Sequence, residues 1–151
     1  MIPDTGGQSV LGSLSRAGVE ICMDMYDNGL VAVRQIELFF EDTASDAAIA
    51  VQKAQKLIEE YGCEILIGPQ SGSEATAVKE YAGSQPGITF VMGGGGDTMT
   101  YGVVIEKLGF NASLMSIDSY NMLQVVFEAL ELTNGDTSNL QAFRFTQFIE
   151  L

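Results

Sequence analysis

The chain has 151 residues, which is long enough for one domain with a hydrophobic core and too short for two of comfortable size. Seven Lys and Arg against twenty Asp and Glu give a formal net charge of -13, so neither a nucleic-acid partner nor insertion into a membrane surface is expected. No apolar run approaches the length of a membrane span, and no charged stretch followed by an apolar one opens the sequence. We therefore expect a soluble chain without a signal peptide.

Helical and strand-like patterns alternate through the first two-thirds of the chain. Apolar residues recur at helical spacing over residues 9–26 and 45–61, and a third helix is predicted over residues 72–82. Short apolar runs typical of strands lie at residues 35–40, 63–68 and 88–92. The repeated order of strand, loop and helix predicts an α/β fold with a doubly wound parallel sheet, in a three-layer α/β/α, flavodoxin-like arrangement.

The last third is predicted to be mainly helical. Helices are expected at residues 101–108 and 119–132. The tail, residues 140–151, favours a helix, although Phe143 and Phe145 alternate as they would in a strand. The predicted organisation is a single α/β lobe over residues 1–151, with βα units at residues 1–98 and a helical return segment at residues 99–151.

Two of the predicted strands end in glycine and small hydroxyl residues. Because the carboxyl ends of parallel strands share one edge of a sheet, these two endings predict a single binding mouth. Backbone N–H groups in the glycine run and at the helix start suit a carboxylate, and Asp97 or a free carbonyl suits an amine. A small zwitterion is therefore the expected ligand, with a flexible turn and plain helix capping as the structural alternatives. The candidate ligand-binding residues are Ser71, Gly72, Ser73, Gly94, Gly95, Gly96 and Asp97.

Catalytic chemistry has little support in the sequence. There is no histidine, which removes Ser-His-Asp and Cys-His catalysis and the commonest metal ligand. Ser71 does not stand in a G-x-S-x-G elbow, and the glycine run lacks the Lys-Ser/Thr of a P-loop. Glu41, Asp42 and Asp46 leave open a phosphoryl-accepting or Mg²⁺-binding site, against a solvated loop at a helix start. We expect a protein that is not an enzyme and holds no metal or cofactor.

The order of these features resembles a known family. The chain resembles the type I periplasmic solute-binding proteins of ABC transporters, and within them the leucine/isoleucine/valine and amide-binding branch. The resemblance covers residues 3–98 well and residues 110–136 moderately. The residues that carry it are Pro3-Asp4-Thr5-Gly6-Gly7, Gly12, Gly18, Ile36-Glu37-Leu38, Glu41-Asp42, Ser45-Asp46, Ala54-Gln55-Lys56-Leu57-Ile58, Ile67-Gly68-Pro69, Ser71-Gly72 and Ser119 to Glu131.

This resemblance implies binding rather than catalysis. The family's two-lobed clamp closes on an amino acid or related small polar molecule and delivers it to a membrane permease, in the periplasm or outside the cell. Its ligand loops correspond here to Ser71, Gly72 and Ser73 and to Gly94, Gly96 and Asp97. Leu11 stands where an aromatic residue often lines the pocket.

Only one lobe of such a clamp is accounted for, so the resemblance implies a truncated, internally deleted or engineered lobe with weak ligand binding. The family's first strand would end near Ile2, and the tail at residues 143–151, a swapped partner or an upstream segment is expected in its place. Two other functions stay open at this point. One is a scaffold module that forms a homodimer through a sheet edge, and the other is a flavodoxin-like phosphotransfer domain that uses Asp42.

Overall fold

The computed structural model describes residues 1–69, 72–91 and 114–138. All four helices predicted within these ranges are present, whereas the helix predicted at residues 101–108 and the tail lie outside them. None of the described helices has both the length and the hydropathy needed to cross a bilayer. In chain order the elements are a 3-10 helix (Gly6–Gln8), α1 (Ser9–Met25), β1 (Leu30–Val31), β2 (Arg34–Gln35), α2 (Ala47–Glu59), β3 (Ile65–Ile67), α3 (Gly72–Ala82), β4 (Thr89–Val91) and α4 (Leu114–Leu132).

Helix α2 begins two residues later than the apolar pattern predicts. Ala44 and Ser45 have φ angles of 52° and 59°, in the left-handed region, so neither can continue a right-handed helix. Asp46 is the N-cap, and its carboxylate accepts hydrogen bonds from the N–H groups of Ala48 at 2.8 Å and Ile49 at 3.0 Å. The start of α2 is therefore set by the capping carboxylate rather than by the first apolar residue.

The described strands form two small sheets. β3 and β4 are parallel, with Ile65 opposite Thr89 and Ile67 opposite Val91. β1 and β2 form a short antiparallel hairpin after α1. Ile2 makes an isolated parallel bridge to Asp42. The chain segments around these two residues therefore run parallel to each other, as β3 and β4 do.

Helices cover both faces of the parallel pair. On one face, α2 and α3 bury a core that contains Ala50, Ala54, Leu57, Leu66, Val78 and Ala82. On the other face, α1 and α4 bury Val19, Cys22, Leu123, Val126, Phe127 and Leu130. Ile65, Ile67 and Val91 pack against the second core, while Leu66 and Phe90 belong to the first. This alternation along the strands confirms the predicted three-layer α/β/α arrangement.

The strand predicted at residues 35–40 is only partly present. The assigned strand β2 ends at Gln35, and residues 36–40 carry no ladder. Their side chains nevertheless alternate as in a strand, since Ile36, Leu38 and Phe40 pack on the α1–α4 core and Phe39 packs on the α2–α3 core. A segment counts as a strand only when it is hydrogen-bonded to a neighbouring strand. Residues 37–39 lack such a neighbour on the side of β3, because two cavities of about 90 Å³ and 320 Å³ lie between them and β3. We call this pair of cavities the central slot.

Met1 and Ile2 close one end of the central slot. Backbone hydrogen bonds of 3.1 Å and 3.0 Å join Ile2 to the residues on either side of Asp42. The Met1 ammonium group donates a hydrogen bond of 2.9 Å to the carbonyl oxygen of Ile67. Burial lowers the pKa of this amino group to about 6, and nearby acidic groups oppose the effect only in part. Residues 1–2 thus connect the Asp42 segment to the end of β3.

Gly12 allows α1 to lie against the N-terminal segment. A Cβ atom added to Gly12 would lie 2.2 Å from the carbonyl oxygen of Pro3, which is a backbone atom that cannot move aside cheaply. We expect Gly12→Ala to lower the free energy of unfolding by about 1–3 kcal/mol, measured by chemical denaturation. Gly7→Ala is the matched control, because a Cβ there meets no atom within 4 Å. Equal stability of the two variants would contradict this packing.

Candidate functional site

The loops that follow the parallel segments meet at one edge of the molecule. Ile2 leads into residues 3–8, Asp42 leads into residues 43–46, and β3 leads into Gly68-Pro69 and then α3. Because paired segments of this kind are parallel, their carboxyl ends lie at a shared edge, whereas the glycine-rich ending predicted after β4 lies outside the described residues. We call it the carboxyl edge.

The structure describes three of the predicted ligand-binding residues. Gly72 and Ser73 are exposed and form the first two residues of α3, and Leu11 is partly buried near the start of α1. α1 begins close to the same edge, since Gly12 lies against Pro3. The other predicted residues, Ser71, Gly94, Gly95, Gly96 and Asp97, lie outside the described residues. Their contribution therefore stays a prediction.

The start of α3 has the geometry of an anion-binding helix end. The N–H groups of the first turn of a helix have no partner within the helix, and the helix dipole favours negative charge there. A Cβ added to Gly72 meets no atom within 4 Å, so the backbone at this position is open to approach. The hydroxyl of Thr76 donates to the carbonyl oxygen of Gly72 at 2.8 Å. A ligand carboxylate fits this position.

Asp42 holds the N-terminal loop at the carboxyl edge. Its carboxylate accepts hydrogen bonds from the Thr5 hydroxyl at 2.5 Å, the Thr5 N–H at 3.1 Å and the Ala44 N–H at 2.9 Å. Burial raises the pKa of the Asp42 carboxyl, but these hydrogen bonds outweigh it, and the pKa lies below its ordinary value of 3.8. With both oxygens engaged, Asp42 is placed as a structural brace rather than as a phosphoryl acceptor.

Glu41 joins the sheet to α2. Its buried carboxylate forms ion pairs with Lys53, at 2.8 Å, and with Lys56. Burial raises the pKa of Glu41, whereas the hydrogen bonds and charges of the two lysines lower it by more, so the pKa lies below its ordinary value of 4.5. Sequence reasoning grouped Glu41 with Asp42 and Asp46 as solvent-exposed acids, and it missed this pairing because Lys53 and Lys56 lie a turn or more into the next helix.

The three acidic residues after the predicted strand therefore all have structural partners. Asp46 caps α2, Asp42 braces the N-terminal loop, and Glu41 pairs with lysines. In the described parts of the chain, no group of three or more Cys, Asp or Glu residues could hold a metal ion. The geometry favours the structural reading of these acids over a phosphotransfer or Mg²⁺ site.

Glu74 is the acidic residue at this edge that sequence reasoning overlooked. Its position three residues after Ser71 indicates only the spacing of a capping box, yet its side chain is buried, with 1% of its surface exposed. Neither carboxylate oxygen has a hydrogen-bond partner among the described residues. The available signal was its position four residues before Val78 and eight before Ala82, on the buried face of α3.

A family model described as periplasmic binding protein matches residues 1–136. The chain therefore belongs to the periplasmic binding protein family, and its fold is that of the type I members that serve ABC transporters. This confirms the resemblance found in the sequence. No curated protein matches the chain.

Several solved structures share the fold. An ABC transporter substrate-binding protein from Sphaerobacter thermophilus is 25% identical, with a TM-score of 0.55 over 60% of this chain and 24% of its own. The branched-chain amino acid transporter substrate-binding protein LivJ from Streptococcus pneumoniae, solved with isoleucine, is 18% identical, with a TM-score of 0.57 over 82% of this chain and 44% of its own.

A solute-binding protein of an ABC transporter from Rhodopseudomonas palustris, solved with 3,4-dihydroxybenzoic acid, is 12% identical. Its TM-score is 0.73, over 96% of this chain and 82% of its own. The chain thus spans about a quarter of the Sphaerobacter protein and less than half of LivJ.

The Glu41 ion pairs make stability depend on pH in a definite direction. Because the pKa of Glu41 is lower in the folded chain than its ordinary value of 4.5, the unfolded chain takes up the proton first on acidification. We expect Glu41→Gln to lower the free energy of unfolding by about 1–2 kcal/mol at pH 7. The difference from the parent chain should shrink as the pH falls below about 4.5, because Glu41 is then protonated in the parent chain as well.

This dependence is measured by urea denaturation at a series of pH values. Glu20→Gln is the control, since Glu20 is exposed on α1 and has no ion pair among the described residues. A constant difference between Glu41→Gln and the parent chain from pH 7 to pH 3 would contradict the assignment.

Proposed function

We propose that this chain is a solute-binding lobe that takes an amino acid or similar small polar ligand at the carboxyl edge. The observation that carries the proposal is the start of α3, where Gly72 is exposed and an added Cβ meets no atom within 4 Å, at the edge that parallel α/β folds use for ligands. Gly72 and Ser73 would contact the ligand carboxylate, with Ser71 beside them. Leu11 and the loop of Gly94, Gly95, Gly96 and Asp97 would complete the wall.

Family membership supports a proposal for the partner and the location of the chain. Periplasmic binding proteins of this type deliver solutes to ABC permeases, so a permease is the proposed partner and the periplasm or cell exterior the proposed location. The described residues make up one α/β lobe. A lobe that acts alone offers about half of the contacts of a two-lobed clamp, so weak binding is expected.

A binding role also fits the way in which three described acids near this edge are engaged. The sequence has no histidine, and the carboxylates of Glu41, Asp42 and Asp46 are engaged in ion pairs, bracing and capping. General acid or base catalysis needs a titratable group that is free to exchange a proton with the substrate. None of these three acids is free in that way, which supports a chain that carries its ligand without changing it.

The proposed carboxylate contact is tested by proline substitution. Gly72 is the first residue of α3, a position that accepts proline because its N–H has no partner within the helix. Gly72→Pro would remove the N–H, and we expect ligand affinity to fall about 10-fold or more, as for the loss of one hydrogen bond to a charged group. Isothermal titration with leucine, isoleucine, valine and short amides at millimolar concentration gives the measurement.

Gly72→Ala is the matched control, because it adds a Cβ into open space and keeps the N–H. Its affinity is expected to stay within about twofold of the parent chain, since no hydrogen bond is lost. Absence of heat from the parent chain with every amino acid and amide tested would overturn the binding proposal. Equal affinity of the proline and alanine variants would overturn the role of Gly72.

A further inference from the structure

The central slot continues the path of a parallel strand. Ile2 bonds through its backbone to Glu41 and Thr43, and the Met1 ammonium donates to the carbonyl oxygen of Ile67. These first two residues therefore lie between the two walls of the slot and bond to both of them, as a middle strand of a parallel sheet does. At this end of the slot the walls are one strand apart.

The wall on the β3 side presents backbone groups toward the slot. Glu64 and Gly68 bond to β4, and by alternation the peptide groups of Ile65 and Ile67 face away from β4. The carbonyl oxygen of Ile67 accepts the Met1 hydrogen bond, which fits this direction. The peptide groups of Ile65 and the N–H of Ile67 have no backbone partner across the slot among the described residues.

The opposite wall presents matching groups. Glu41 and Thr43 bond to the N-terminal segment through their backbone, so by alternation the peptide groups of the residues two and four positions before Glu41 face the same side. These residues are Phe39 and Glu37, and no backbone hydrogen bond joins either of them to another described residue. Two unpaired strand edges that face each other are a template for one added strand.

The lining of the slot defines the side chains that fit inside it. Exposed carboxylates, those of Glu37 and Glu64, stand at the end of the slot that is remote from Met1. An occupant therefore needs apolar residues on both of its faces and a basic residue at the end beside Glu64. The apolar side chains from the helices that line the slot are Val19, Leu57, Met122, Leu123, Val126 and Leu130.

We propose that the central slot binds an extended segment of a second polypeptide as a strand parallel to β3. The amino end of the segment lies beside Glu64, and its carboxyl end lies beside Met1. About four of its residues fit along residues 64–67, because a strand rises about 3.3 Å per residue. This site is separate from the carboxyl edge, so it does not depend on the proposed solute binding.

The tail of the chain itself does not meet the requirements of the slot. Thr137 lines the wider cavity and donates to Glu64, so residues 139–151 begin near the slot. An occupant that is apolar on both faces needs about four consecutive apolar residues. No more than two consecutive residues of the tail are apolar. The proposal therefore assigns the slot to a segment from outside the chain.

The first test is binding of the synthetic peptide Lys-Lys-Val-Ile-Val-Val to the full chain. With fluorescein at its amino end, its fluorescence anisotropy should show saturable binding with a dissociation constant below about 100 μM. The same peptide with N-methyl groups at alternate apolar residues is the control, because it keeps the side chains and loses backbone donors. We expect it to bind about 10-fold or more weakly.

Hydrogen exchange followed by NMR locates the bound peptide. The amide hydrogens of Glu37, Phe39, Ile65 and Ile67 should exchange more slowly when the peptide is bound, because their N–H groups face the slot. The amide hydrogen of Leu38 faces the other way and should not change. This alternating pattern is specific to an added strand, since an apolar molecule in the cavity forms no backbone hydrogen bonds.

Two side-chain measurements complete the test. Alkylation of Cys63, which lines both cavities, should become slower with the peptide, while Cys22, which has no exposed surface, is the internal control. Glu37→Lys should weaken binding about 2- to 5-fold, as for the loss of an exposed ion pair. Glu20→Lys, at an exposed position of α1, is the matched control and should leave the affinity unchanged.

Four results would overturn the proposal. They are no binding at about 1 mM peptide, equal affinity of the N-methylated peptide, equal affinity of the reversed sequence Val-Val-Ile-Val-Lys-Lys, and protection of Leu38 together with Phe39. A variant that ends at Ser138 tests the tail separately. Peptide binding at least about 10-fold tighter to this variant than to the full chain would assign the slot to residues 139–151 and would also overturn the proposal.

Discussion

The pairing of Ile2 with Asp42 is the constraint on which the carboxyl edge depends. It fixes the direction of the N-terminal segment, so that Pro3 and Thr5 leave the sheet on the same side as the loop into α2. Asp42 then captures Thr5 through two hydrogen bonds, and the Gly12 contact with Pro3 brings the start of α1 to the same place. The loops of the candidate site are positioned by backbone pairing first and by side chains second.

Glu41 and Asp42 are adjacent in the chain but stabilise different contacts. Glu41 faces α2 and ties the helix to the sheet through two lysines, while Asp42 faces the N-terminal loop. Adjacent residues of an extended chain point to opposite sides, which is why neighbouring acids take such different partners. Both carboxylates are therefore satisfied within the lobe.

The helices could be predicted from the sequence, whereas the extent of the strands and the details of the candidate site could not. Helices α1, α2, α3 and α4 follow from their apolar spacing, and residues 36–40 alternate as expected even though they carry no ladder. Whether a segment is a strand depends on a neighbour that its own residues do not encode, so the extent of the strand could not be predicted. The start of α2 was misplaced because the backbone of Ser45 is left-handed, which serine does not signal.

The candidate site was found through glycine and small hydroxyl residues, which mark loops in general and give little chemical detail. Gly72 and Ser73 are the first two residues of α3, and their contact with a ligand stays a prediction. Glu74 was overlooked because a Glu three residues after a Ser is the usual sign of a capping box. Its burial depends on how α3 packs against the rest of the lobe, and only the helical face shared with Val78 hinted at it.

The central slot affects how solvent reaches the backbone amides of the sheet. In the β3–β4 ladder, Glu64 and Gly68 bond to β4, so by alternation the peptide groups of Ile65 face the slot. In most α/β domains the central strands exchange their amide hydrogens most slowly and the edges fray first. Here the backbone on both sides of the slot borders a cavity, so solvent can reach amides in the middle of the fold without global unfolding. We therefore expect amide hydrogens beside the slot to exchange without global unfolding, next to the strand whose carboxyl end leads into the candidate site.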